Sequence, residues 1–112
     1  MPSITSNVEF DTIAREWRCK WSEENDKASL IAAQEILESF VGKIKAISGF
    51  KNVQRIVCGS CLDFKVIVSV DASEFASWEA MAHTPESMLL EALRSTEGIT
   101  AVETQTYTIS LI

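Results

Sequence analysis

Proline appears only twice and glycine only four times in 112 residues, too rarely for a collagenous, linker-rich or low-complexity chain. No cluster of lysine and arginine forms a basic stripe. With 10 basic against 16 acidic side chains the net charge is −6, which argues against nucleic acid as a partner of this chain by itself. No stretch approaches the roughly 18 consecutive apolar residues of a membrane span, so no membrane association is expected. The opening residues, MPSITSNVEF, lack both the basic and the apolar region of a signal peptide. Three cysteines, an odd number without such a leader, point to a reduced, cytoplasmic location. Also missing are a glycine-rich phosphate loop, a recognisable Ser/His/Asp arrangement and a zincin helix. No cofactor is therefore expected.

What is there suits one ordinary domain. Apolar residues make up 46% and charged residues 23%, and a chain of this length buries about two-thirds of its unfolded surface. Residues 1–12 lack periodicity and read as an irregular arm, leaving 13–112 as the folded domain. From Ile13 the pattern alternates. Arg15, Trp17, Cys19 and Trp21 share one side, and Glu16, Arg18 and Lys20 the other, as in a strand with one covered face.

Ser22 to Asp26 is acidic and rich in capping residues, as a helix start should be. Leu30, Ala33, Leu37, Phe40, Val41, Ile44 and Ile47 then recur at three- and four-residue steps, with Gly49 as the stop. Next, VQRIVCGSCLDFKVIVSV (53–70) reads as a hairpin turning at Gly59-Ser60, with Cys58 opposite Cys61 and Val57 opposite Leu62. A second helical region follows. Asp71 or Ser73 is its cap, Phe75 and Trp78 lie on its apolar side, and Thr84-Pro85 restarts it after a break at His83. The threonine-rich end, VETQTYTISLI, is a final strand.

The sequence SGFKNVQ (48–54) resembles EGITAVE (97–103), so two similar halves give β-α-β-β-α-β. That order is a ferredoxin-like α+β fold: a four-stranded antiparallel sheet with two helices on one face. Its uncovered face gathers Glu16, Arg18, Lys20, Gln54, Ile56, Asp63, Lys65, Ile67 and Tyr107. The face is either a solvated surface or the wall of a polar cavity closed by a second copy, and two-fold dimers are the commonest oligomers.

The layout over 13–112 resembles the dimeric α/β-barrel superfamily. Within it, VQRIVCGSCLDFKVIVSV followed by LLEALRSTEGITAVETQTYTI resembles the effector-binding domain of the leucine-responsive/asparagine-regulator family. That resemblance implies a homodimer holding a small anionic or amino-acid-like ligand near the turn, where Gly59 and Asp63 match the motif. The chain has three residues between them where that family has two, and it lacks the family's helix-turn-helix. A rival resemblance, carried by Phe75…Trp78…His83 ahead of the last helix, is to small barrel enzymes, among them quinone-forming monooxygenases and lactone isomerases.

These features yield two sets of candidates. For ligand binding they are Arg18, Lys20, Gly59, Asp63, Lys65 and Tyr107. For catalysis, should the chain be an enzyme, His83 would act with Asp63 or Tyr107, since histidine alone has an unperturbed pKa near neutrality. His83 also fits a surface or capping role at a helix break. Cys58-Gly-Ser-Cys61 has the spacing of a redox motif without the helix start that would activate it, and too few further ligands for a metal site. A purely structural interaction module stays open as a third reading.

Overall fold

Burial alternates along the strands and recurs every three to four residues along the helices, as the side-chain pattern dictates. A computed structural model describes Met1 to Ile112. In chain order the elements are β1 (Ser3–Thr5), β2 (Val8–Glu9), β3 (Thr12–Lys20), α1 (Glu24–Lys45), β4 (Phe50–Val57), β5 (Asp63–Asp71), α2 (Ala72–Ala80), α3 (Glu86–Arg94) and β6 (Thr100–Thr108). β3 to β6 form one antiparallel sheet in the order β4-β5-β3-β6, which is the ferredoxin-like arrangement with its second helix divided into α2 and α3.

Trp17, Phe64, Val66, Val68 and Val70 face the helices from the sheet and are essentially inaccessible. Ala33 and Ile44 of α1, Trp78 of α2, and Leu89 and Leu93 of α3 meet them in one core cluster. Each such aliphatic side chain contributes roughly 1.5–3 kcal/mol relative to an exposed one. This single layer therefore outweighs the exposed ion pairs in holding the fold. No helix is long and apolar enough to cross a membrane.

Four expectations need correction. The arm is not irregular: β1 and β2 pair as a small hairpin, with the Thr5 hydroxyl donating to Asn7 across the turn. The regular part of α1 starts later than the acidic cap suggested. Asn25, Asp26 and Lys27 take left-handed φ values of 53°, 55° and 63°, a conformation Asn and Asp tolerate better than most residues. Ser29 fastens this approach by accepting from the Ser22 amide at 2.8 Å.

The hairpin register is also displaced by two residues. Val57 pairs with Phe64 rather than Leu62, and the Cys58 amide donates to the Asp63 carbonyl. Leu62 adopts φ 63°, and its carbonyl accepts from the Trp21 amide, so the connection is longer than a two-residue turn. Because side chains alternate with period two, a two-residue slip leaves every residue on its expected face. Finally, Asp71 caps α2 through its carboxylate, whereas Thr84 caps nothing: its hydroxyl donates to the Met81 carbonyl.

Candidate functional site

On the uncovered sheet face, β3 sets Glu16, Arg18 and Lys20 beside β5 and β6. Arg18 is opposite Lys65 on one side and Glu103 on the other. Lys20 reaches Asp63 at 2.6 Å and also donates to the Cys61 carbonyl at 2.9 Å. The Lys20 bond, followed by the other nearby cations, holds the Asp63 carboxyl below its ordinary value. Arg18 bonds Glu16 at 2.8 Å and Gln105 at 2.8 Å, and Tyr107 donates to the other oxygen of Glu16 at 3.0 Å. Burial first, then the Glu16 bond, pushes the Tyr107 phenol up to about 12. Tyr107 therefore stays protonated near neutrality and cannot serve there as a base.

A recess of about 210 Å³ is lined by Arg18, Lys20, Asp63 and Lys65 with Cys19, Ala101 and Glu103. Four of the six candidate binding residues thus converge. Tyr107 is linked to them through Glu16, and Gly59 stands apart at the exposed tip of the hairpin. Arg18, Lys20 and Lys65 face Glu16, Asp63 and Glu103, so positive charge does not dominate this face.

His83 lies on the other side of the sheet. It belongs with Arg15 and Trp17 on the helix-covered face, whereas Asp63 and Tyr107 occupy the uncovered one, so the fold does not bring the three proposed catalytic groups together. Its position follows from how α2 ends. The His83 amide reaches back to the Trp78 carbonyl at 3.0 Å, while Ala82 and His83 take left-handed φ values of 54° and 55°. This reversal folds the imidazole over the end of its own helix, 5.1 Å from the Trp78 ring and 5.6 Å from Phe75. His83 is 9% exposed, and its Nε2 is a buried polar atom without a hydrogen-bond partner. Burial, then the nearby Arg15, lowers the imidazole pKa.

Beside the ring stands a polar group drawn from distant parts of the chain. Glu86 Oε1 accepts from Arg15 Nε at 2.7 Å and from the Trp17 indole at 2.6 Å, while Oε2 accepts from Arg15 Nη2 at 3.3 Å. Arg15 also donates to Thr104 and Thr106. Glu86 Oε2 lies 3.8 Å from His83 Nδ1. A carboxylate at that distance favours the tautomer carrying its proton on Nδ1, which leaves the lone pair on Nε2. Chemically, the group is an imidazole whose pKa is lowered by burial and whose Nε2 is unpartnered, set beside two aromatic rings. The sequence did hold a sign of it. Arg15 falls in the register of Trp17, Cys19 and Trp21, and an arginine on a covered face needs a buried acceptor.

A βαββαβ sheet with this order and helices on one side defines the class as a ferredoxin-like α+β fold. Among solved structures, the chain is similar to a Deinococcus radiodurans protein provisionally described as an antibiotic biosynthesis monooxygenase. That match has a TM-score of 0.66 at 12% identity and covers 89% of this chain and 94% of the other. It is also similar to SnoaB, a cofactor-independent oxygenase from Streptomyces nogalater, with a TM-score of 0.63 at 13% identity over 91% and 96%. Rv0793 from Mycobacterium tuberculosis matches with a TM-score of 0.61 at 9% identity over 90% and 97%. At these identities the likeness speaks for the fold. No family model and no curated protein matches the sequence.

Proposed function

We propose that the chain is a cofactor-independent barrel enzyme, a monooxygenase of small ionisable aromatic compounds, in which His83 takes the substrate's proton. The observation carrying this reading is the buried Nε2 of His83, unpartnered and backed by the Glu86–Arg15–Trp17 group. Buried polar atoms are almost always paired, so an orphan nitrogen beside Trp78 and Phe75 supports a place for a reacting group. Burial, then Arg15, lowers the imidazole pKa from its ordinary 6.5, which favours the unprotonated ring that a general base must present. The similarity to SnoaB and to the Deinococcus protein supports the reaction class.

In outline, Nε2 removes a proton from an acidic C–H of a phenolic substrate, and the carbanion passes an electron to dioxygen. Recombination forms a peroxide, and loss of water from it leaves a carbonyl. Glu86 steadies the imidazolium that forms, and Arg15 holds Glu86. His83 is nearly covered, and the residues between it and solvent are Met81, Ala82 and Thr84, all exposed.

The test is dioxygen uptake with an anthrone as probe. Wild type should consume oxygen, and His83→Gln should slow it by roughly 100-fold or more, the usual worth of a general base. Equal rates in the two proteins, or no uptake by either, would reject the proposal.

A second reading is favoured by the recess at Arg18, Lys20, Asp63 and Lys65. In it, the uncovered faces of two copies meet, in the cytoplasm, around a small polar ligand. Its mixture of charges suits a molecule bearing both signs better than a simple anion. Ile56, 45% exposed on that face, supports self-association.

A further inference from the structure

The hairpin tip carries the cysteine pair that neither reading uses. Cys58 and Cys61 form a disulfide across residues 58–61, with Cys61 exposed and Cys58 half-buried. The surroundings of the two sulfurs differ. Cys58 Sγ accepts from the Cys61 amide at 3.1 Å and lies 3.6 Å from the Ser60 hydroxyl. Cys61 Sγ instead lies 3.3 Å from an Asp63 carboxylate oxygen. Hydrogen-bond donors stabilise a thiolate and a carboxylate destabilises one. The loop thus supplies one sulfur with the donor that a helix start supplies in other Cys-x-x-Cys motifs. The backbone around the pair is fastened independently of the disulfide, because Lys20 donates to the Cys61 carbonyl and the Trp21 amide to that of Leu62.

We infer that Cys58–Cys61 is a thiol–disulfide exchange site with a built-in direction, taking small thiols or exposed protein thiols as its partners. An incoming thiolate forms a bond to the exposed Cys61 Sγ. The Cys58–Cys61 bond breaks and its electron pair leaves on Cys58 Sγ, toward the Cys61 amide and Ser60. A second thiolate attacks the incoming sulfur of the mixed disulfide and releases Cys61, which takes a proton and donates it to Asp63. In total, two thiols become one disulfide, and the protein's disulfide becomes a dithiol. The reverse direction passes through the same mixed disulfide: Cys61 attacks the oxidised partner and releases one of its sulfurs as a thiolate, and Cys58 then attacks Cys61 Sγ, releases the second and closes the protein's disulfide. Nothing in this cycle draws on His83, so it stands apart from the oxygenase reading.

The geometry makes a testable prediction against exposure. Full-length protein is reduced with a dithiol, freed of it, and pulsed with iodoacetamide at neutral pH, and the alkylated residues are mapped by mass spectrometry. Cys58 should be modified about tenfold faster than Cys61 although Cys61 is the more exposed. Asp63→Asn should narrow that ratio. Limiting glutathione added to the oxidised protein and quenched in acid should leave its adduct on Cys61. Cys19 is buried, with burial pushing its thiol up to about 11, so its labelling reports any unfolding. Faster labelling of Cys61 in protein whose Cys19 stays protected overturns the inference. So does an adduct found on Cys58, or a disulfide that millimolar thiol fails to open.

Discussion

At the scale of single residues, the sharpest contrast is between groups whose polarity is satisfied and the one whose polarity is not. Arg15 and Glu86, with side chains 16% and 15% exposed, neutralise each other on the covered face. Glu86→Gln leaves Arg15 without a counter-charge and should destabilise the protein by about 3 kcal/mol in chemical denaturation. The double change Arg15→Met with Glu86→Leu should recover most of that loss. His83 behaves differently. Its folded pKa is lowered from the ordinary 6.5 by burial, so the unfolded chain binds the extra proton first. Stability is then full above about pH 6.5 and falls as the pH drops toward the folded value. Wild-type Tm should decline more steeply below pH 6.5 than that of His83→Gln, and parallel declines would contradict a buried neutral imidazole. Tyr107 is the only tyrosine. Its absorbance titration should have a midpoint of about 12, and a midpoint near the ordinary 10 would deny the bond to Glu16.

At the scale of elements, glycines mark where helices return to the sheet. Gly49 has φ +80°, and a Cβ there would lie 2.5 Å from Glu74 Cβ. Gly49→Ala should cost about 1–3 kcal/mol from strain and displacement together, read as a lower urea midpoint; an unchanged midpoint would place α2 elsewhere. This level is legible in the sequence because the repeat of helix, glycine and valine-led strand is local. Face membership was legible for the same reason: alternation in Trp17, Cys19 and Trp21 and in Val66, Val68 and Val70 is strict. The hairpin register was not legible, since it depends on Leu62 adopting a left-handed backbone and on a tie to Trp21. Nor was the start of α1, where Ser22 meets Ser29 across the loop.

At the scale of the whole molecule, the sheet divides the candidate residues into two sets that never meet. Arg18, Lys20, Asp63, Lys65 and Tyr107 share the uncovered face, and their convergence was readable from alternation alone. His83 was singled out by its rarity, but its partners Arg15, Trp17 and Glu86 come from distant parts of the chain. Only the fold brings β3 beneath the start of α3. The Phe75…Trp78…His83 spacing becomes, in the fold, two aromatic rings packed against the imidazole. The proposed chemistry requires that imidazole to be neutral, with its proton on Nδ1 and a free Nε2. Because the chain has a single histidine, two-bond ¹H–¹⁵N correlation on uniformly ¹⁵N-labelled protein at pH 7 reads its two ring nitrogens without ambiguity. The expected result is a protonated Nδ1 and an unprotonated Nε2. A proton on Nε2, or on both nitrogens, would contradict it.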